Sequence, residues 1–354
     1  MSYESENFLE PKTRIEDVRE LIDLLGYVKG GILKSEEYGQ FEEYWYFDEK
    51  DFRSWSGVSL SIHKDGKQII VSTRTPIARS YYDLVHQNHT ISGLRKWFGG
   101  HFTTDEGRGR YLRPASGPPS AVASGCHLAF ERFGSNLIKA AVYLDARAFP
   151  KHPLRGRRDP LVMLEMDPRT LSNNLLVPFL VAALEDYFKS SFIALLRYSS
   201  RKEVFLKGIR LQGDQLLPLA EGKATLEEQI VQTLPFQRIS AVCRHFESLD
   251  PKLDLSGTLR RPYRRRRQSL LELLETTVVA RHNFIHRAQL DTSLSDKRLY
   301  DLVYDIEAAI TRVYRRITDH YRWQFDRGWY LGRRTARAAA RLGAPGDAPQ
   351  AARP

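Results

Sequence analysis

Apolar and polar positions change their rhythm once along this chain, and the change divides it into two halves. In the first half the short-period patterns dominate. Arg14 to Leu25 reads as one helix after an acidic lead-in. Strand signals follow at Tyr44 to Phe47, which is aromatic-rich, and at Gly57 to His63, where apolar and polar residues alternate. Lys67 to Thr73 comes next, after the turn Lys64-Asp65-Gly66, and the two runs predict a hairpin. Ser80 to Trp97 has helical spacing, with Tyr81, Leu84, Val85, Leu94 and Trp97 as its apolar positions. His101 to Ser124 is rich in Gly, Pro, Ser and Arg and reads as loop. A second hairpin is expected from Cys126 to Phe133 and Leu137 to Leu144 around Gly134-Ser135-Asn136, and a further short strand from Leu161 to Met166. This half is therefore expected to be an α+β domain over residues 1–155.

The stretch PKHPLRGRRDP concentrates proline and basic residues and marks the expected boundary. Beyond it the pattern is helical almost throughout. Leu175 to Leu196 carries an apolar face broken by Glu185 and Asp186. Thr225 with Glu228, and Ser269 with Glu272, match the reciprocal capping pattern that starts a helix. A last long helix begins near Ser295. The expected fold is thus an α+β N-terminal domain followed by an all-α helical bundle over residues 170–330, with a disordered Ala/Pro/Gly-rich tail over 343–354.

Composition adds little to that outline. The chain has 354 residues, 42% hydrophobic and 27% charged, which describes an ordinary globular protein of more than one domain. Its formal charge of +11 fits a polyanionic partner. The two cysteines, Cys126 and Cys243, form no CxxC pair, so neither a disulfide framework nor a zinc ribbon is expected, and a reducing cytoplasmic setting is. The start of the chain lacks an apolar targeting segment, and the longest apolar run, Leu175 to Ala183, is broken by Pro178 and too short to cross a membrane.

The candidate chemistry lies in Ser269 to Asp291. Leu270, Leu274, Val278, Ile285 and Ala288 recur at helical steps and predict one buried stripe, with Arg281 on it. A guanidinium on a core face is costly unless an anion meets it. His282 and His286, one turn apart, flank the same stripe. A permanent cation beside two titratable rings suits holding and cutting a phosphodiester. Three bland readings stand beside this one. The two histidines could bind zinc, although no third ligand is evident. Arg281 could pair structurally with Glu185 or Glu275. The run Arg260, Arg261, Tyr263, Arg264, Arg265, Arg266, Arg267 could be a solvated loop, or a phosphate-tracking patch with one stacking ring. In the first half, the glycines from Gly99 to Gly109, with Arg108, Arg110 and Arg113, could cradle a phosphate, but a structural turn is the simpler account. His86 and His89 make no metal set.

The residues Arg281-His282-Asn283-Phe284-Ile285-His286 resemble the signature of HEPN domains, an Arg followed four to six residues later by a His. Leu184-Glu185-Asp186-Tyr187-Phe188 resembles the family's acidic first helix, Leu234-Pro235-Phe236-Gln237 the middle of the domain, and Ser295 to Ile317 its closing helix. The resemblance covers roughly residues 170–320. It implies a metal-independent, cofactor-free endoribonuclease in which RNA is cut by its own 2′-hydroxyl. Arg281 and His286 are the implied catalytic pair, and His282 and Asn283 support them; Glu185 is either a supporting site acid or a solvated helix charge. It also implies a homodimer, a role in antiviral defence or as a toxin, and control by an inhibitor or trigger. A Tyr two residues after the His, modified in some members, is replaced here by Ala288, so that toxin–antitoxin arrangement is not expected. The alternative is an inactive HEPN domain serving RNA binding or dimerisation.

Overall fold

Among the described residues, seven antiparallel strands, two α-helices and the start of a third make the first unit, and the alternation of β4 shows why. In Val58–Asp65 (β4) the residues Val58, Leu60 and Ile62 turn inward while Ser59 and Ser61 do not. Gln68–Thr75 (β5) pairs with it through Asp65↔Gln68, leaving a two-residue loop whose Gly66 has φ +59, the left-handed value such tight hairpins need. The computed structural model describes residues 2–35, 39–115, 117–146, 167–264 and 266–323. The remaining strands are Tyr3–Phe8 (β1), Val28–Ser35 (β2), Gly39–Tyr46 (β3), His101–Thr104 (β6) and Gly107–Arg108 (β7). They assemble in the order β2-β3-β4-β5-β1-β6-β7. Helices Ile15–Leu24 (α1) and Tyr81–Phe98 (α2) contribute Val18, Ile22 and Leu94 to a core shared with Tyr44, Leu60, Ile62 and Val71.

The expected lead-in is instead β1, near the middle of the sheet. Its inward residues are Ser5 and Asn7, both buried, so no apolar alternation announces it. Ser5 bonds to Thr73 at 2.6 Å, and Asn7 donates to the Val71 carbonyl at 2.9 Å. Gln87 of α2 completes this polar layer by donating to Thr73 and accepting from Thr75. Each residue of the layer makes at least one of these bonds, though Oδ1 of Asn7 is buried without a hydrogen-bond partner among the described residues.

Two aromatic-lined histidines also belong to this unit. His86 stacks on Tyr46 with ring centroids 3.4 Å apart, and His127 packs against Trp55 at 4.1 Å. Burial pushes each down to about 4, with the neighbouring His89 adding to the effect on His86. An unfolded imidazole titrates near pH ~6.5, so the unfolded state takes up protons first. The stability that the neutral rings carry is therefore complete above pH ~6.5 and lost as pH falls towards 4, by up to about 3 kcal/mol for each ring. Burial raises Glu131, in the second unit, to about 7, an effect of opposite sign, so the variant comparison must isolate the histidines. Urea unfolding of wild type and of His86→Phe/His127→Phe at pH 7 and 4.5 is expected to show a smaller acid loss in the double variant. Equal losses would mean that neither ring is the acid-sensitive group.

The second expected hairpin is a single helix, Ala121–Ala146 (α3). Its buried residues Cys126, Ala129, Phe133, Leu137, Ala140 and Leu144 recur at three and four, a helical period that outweighs the turn signal of Gly134-Ser135-Asn136. The chain divides within this helix, into units Met1–Leu128 and Ala129–Pro354, ahead of the expected boundary. The basic stretch from 151, the strand expected over 161–166 and the tail over 343–354 lie outside the described residues.

The second unit is helical among its described residues. Pro168–Tyr198 (α4) starts on Asp167, which accepts from the Arg169 amide, and carries Pro178 within it. Lys202–Leu206 (α5), Gly213–Ala220 (α6), Leu226–Thr233 (α7), Ile239–Leu249 (α8) and Leu255–Arg260 (α9) follow. Leu270–Arg287 (α10) and Asp296–Tyr321 (α11) close the order, and both expected capping boxes are present. Phe188, Phe192, Phe236 and Phe246 form an aromatic centre, with Phe192 against Phe246 at 5.3 Å. Cys243 lies buried here and Cys126 in the first unit, and burial raises both thiols, which keeps them unreactive. Among the described residues no helix is long and apolar enough to cross a membrane.

Candidate active site and basic surface

Helix α10 changes character halfway along. Leu270, Leu271, Leu274 and Thr277 are buried, but Val279 and Ile285 are 56% and 47% exposed. The expected stripe is thus buried only through its first two turns. Ile285 faces solvent within the chain, and Ala288 lies past the helix as a left-handed cap with φ +50. Arg281 is half-buried and makes no hydrogen bond or ion pair with any described residue. Glu185 pairs with Lys189 at 3.8 Å, and Glu275 accepts from the Ser240 amide at 2.7 Å, so neither holds Arg281. Oxygen Oε1 of Glu185 is buried without a hydrogen-bond partner among the described residues. His282 and His286 are exposed, with ring centroids 4.5 Å apart.

The end of α10 is held from α4. Asn174 donates to the Asp291 carbonyl at 3.1 Å and accepts from its amide at 2.8 Å, while Asn173 donates to the Leu294 carbonyl at 2.7 Å. These bonds fix the 288–295 loop and, with it, the orientation of the Arg281–His286 turn. Between α4, α10 and α11 lies a groove of about 810 Å³, reached by Asn283, Phe284, Gln268, Arg266 and Arg298.

The arginine run does two jobs. Asp305 of α11 is 1% exposed and pairs with Arg266 and, at 3.6 Å, with Arg264. Burial pushes its carboxyl up, and the two guanidinium groups pull it back. Arg264 reaches Asp305 from a left-handed backbone, φ +52. The expectation that Tyr263 offers a free stacking ring changes here. Guanidinium carbons of Arg264, Arg312 and Arg266 already lie 4.7, 5.2 and 5.8 Å from its centroid. Arg260, Arg261 and Arg267 are exposed, and Arg265 is outside the described residues. Asp305, Arg312 and Arg316 were not among the candidates, although an acid on the apolar face of the last helix is a legible sign of a buried partner.

Gly99 and Gly100 have φ +66 and +79, and a Cβ on Gly100 would lie 1.9 Å from the Phe8 carbonyl oxygen, so the glycines serve the turn from α2 into β6. Arg108, Arg110 and Arg113 are exposed on and after the small β6–β7 hairpin. Among the described residues no three His, Cys, Asp or Glu side chains gather closely enough to hold a metal ion, His282 and His286 included. Comparison with models of known families, with curated proteins and with solved structures returns no match.

Proposed function

We propose that the helical unit is a HEPN-type, metal-independent endoribonuclease acting as a homodimer. The observation that carries this reading is the placement of the motif. Arg281, His282, Asn283 and His286 occupy the last turns of α10, where no residue of the helix is fully buried and the Arg281 side chain has no partner among the described residues. An unpaired guanidinium fits a phosphate bidentately and offsets charge that develops in the transition state. An exposed imidazole can take the proton of the 2′-hydroxyl, then return one to the departing 5′-oxygen. Residues five apart on a helix diverge by about 140°, so one chain aims both groups poorly at one phosphate. Two α10 ends about a twofold axis bring two Arg and two His together and cover Val279 and Ile285. Glu185, with its unpaired buried oxygen, is a supporting group in this proposal. The proposed setting is antiviral defence or a toxin-like role in the cytoplasm, under an inhibitor or trigger.

The test is the chemistry of the products. Incubated with mixed RNA in EDTA, the protein is expected to leave 2′,3′-cyclic phosphate and 5′-hydroxyl ends, and to spare DNA. Activity lost on chelation and restored by magnesium or zinc rejects the mechanism. RNA bound but never cut assigns the domain to binding or dimerisation instead.

A further inference from the structure

We infer that nucleic acid is held by its phosphates alone, on a surface wider than the arginine run: it continues from Arg260, Arg261 and Arg267 across α11 to Arg312, Arg316 and Lys252. The inference rests on the reading above only for taking RNA as the polyanion. Two stretches far apart in sequence, 252–267 and 312–316, build this surface. Arg312 donates to the carbonyls of Arg261 and Pro262 at 2.9 and 3.0 Å, which ties α11 to the start of the run. One turn further along α11, Arg316 donates to the Lys252 carbonyl at 2.7 Å, which ties it to the α8–α9 turn. The Lys252 side chain is exposed there and has no ion pair among the described residues.

The charge is concentrated beyond what the fold needs. Around the Tyr263 ring sit the guanidinium groups of Arg264, Arg266 and Arg312, and Asp305 pairs with two of them. One carboxylate therefore answers three cations at the centre, while Arg260, Arg261, Arg267 and Lys252 surround them unpaired among the described residues. Acids border this surface without forming an ion pair with its outer cations: Glu272 feels the charge of Arg260, and Asp301 lies within electrostatic reach of Asp305. Asp250 is bonded to His320 at 2.8 Å and to Tyr321, and Asp301 and Asp319 are exposed acids on α11. Like charges held together repel one another, and a chain of phosphates relieves that repulsion. The same geometry excludes base reading. Tyr263, the one aromatic ring in the run, is occupied by cations and is not offered to a base, and arginine and lysine heads on an open surface meet phosphate without regard to sequence or sugar.

The test uses the full chain carrying His286→Ala, so that RNA survives, and follows fluorescence anisotropy of a labelled single-stranded RNA and the DNA of the same sequence. Both strands are expected to bind with affinities within about threefold of each other, and log affinity should fall linearly with log salt between about 50 and 200 mM. Lys252→Gln/Arg316→Gln lies outside the run. It is expected to weaken binding about tenfold at the lower salt and to make the slope shallower by roughly 1.4, because two phosphates of a single strand are no longer neutralised. Should that pair lower the melting temperature, Lys252→Gln/Arg260→Gln, which removes no structural hydrogen bond, carries the same expectation. Unchanged affinity and slope in the folded variant overturn the extension across α11, and a preference for RNA above tenfold overturns phosphate-only binding. Wild type that binds in this way but cuts no RNA rejects the nuclease reading and leaves the surface standing.

Discussion

His286→Ala is expected to lower RNA cleavage by about a thousandfold, the scale of a lost general acid or base, with the protein folded as before. The ring is exposed and touches only His282 among its described neighbours, so the change removes no core packing. Arg281→Ala should cost as much through lost charge stabilisation. His282→Ala should cost far less, because it supports the pair and does not belong to it. The proposed dimer adds a second readout. Ile285 faces outward near the end of α10, and Ile285→Glu is expected to give a monomer by light scattering that no longer cuts. If each phosphate needs Arg281 from one chain and His286 from the other, mixing the two single variants restores partial activity. A monomer at high concentration that cleaves at full rate sinks the shared site.

Removing Arg264 and Arg266 together is expected to destabilise the protein by about 3–5 kcal/mol, because it leaves the Asp305 carboxylate buried and unpaired. The side chains of the two arginines are 30% and 35% exposed while that of Asp305 is 1% exposed, so the penalty is asymmetric. Asp305→Asn leaves two cations that can turn to water, and should cost roughly 1–2 kcal/mol. Arg260→Gln/Arg261→Gln/Arg267→Gln should leave stability within about 0.5 kcal/mol, since those side chains hold nothing in the fold. Urea midpoints at pH 7 separate the three variants. Equal stability of the Arg264/Arg266 variant and wild type would show that Asp305 is satisfied some other way. The comparison also bears on RNA binding, for a variant of the whole run loses affinity and fold together and cannot tell the two apart.

Elements that bury a regular apolar face were legible without the structure. The alternation of β4, the helical spacing of α2 and α11, and the capping boxes of α7 and α10 are local patterns, and local geometry decides them. The order of an α+β half before a helical half follows from the same patterns. Helix α3 was legible in principle, since its apolar residues keep a helical period, but a Gly-Ser-Asn turn signal masked it. Strand β1 was not legible. Its inward residues are Ser5 and Asn7, and what makes them acceptable inside is Thr73 and Gln87, some 70 to 80 residues away in the chain.

The candidate site divides the same way. Arginine, histidine and their spacing on one helix are properties of the sequence, and so is the count of charges in the run. Which of those charges is free is not. Arg264 and Arg266 are fixed by Asp305, the Tyr263 ring is filled by arginines from two segments, and Arg312 and Arg316 join the basic surface only because α11 folds back beside it. The buried half of α10 could be read from its leucines, whereas the exposure of His286 and the half-burial of Arg281 depend on how the neighbouring helices pack. Periodicity is a one-dimensional record of which face a segment turns inward. Pairing, neutralisation and exposure are set by contacts between distant segments, and only the tertiary structure decides those.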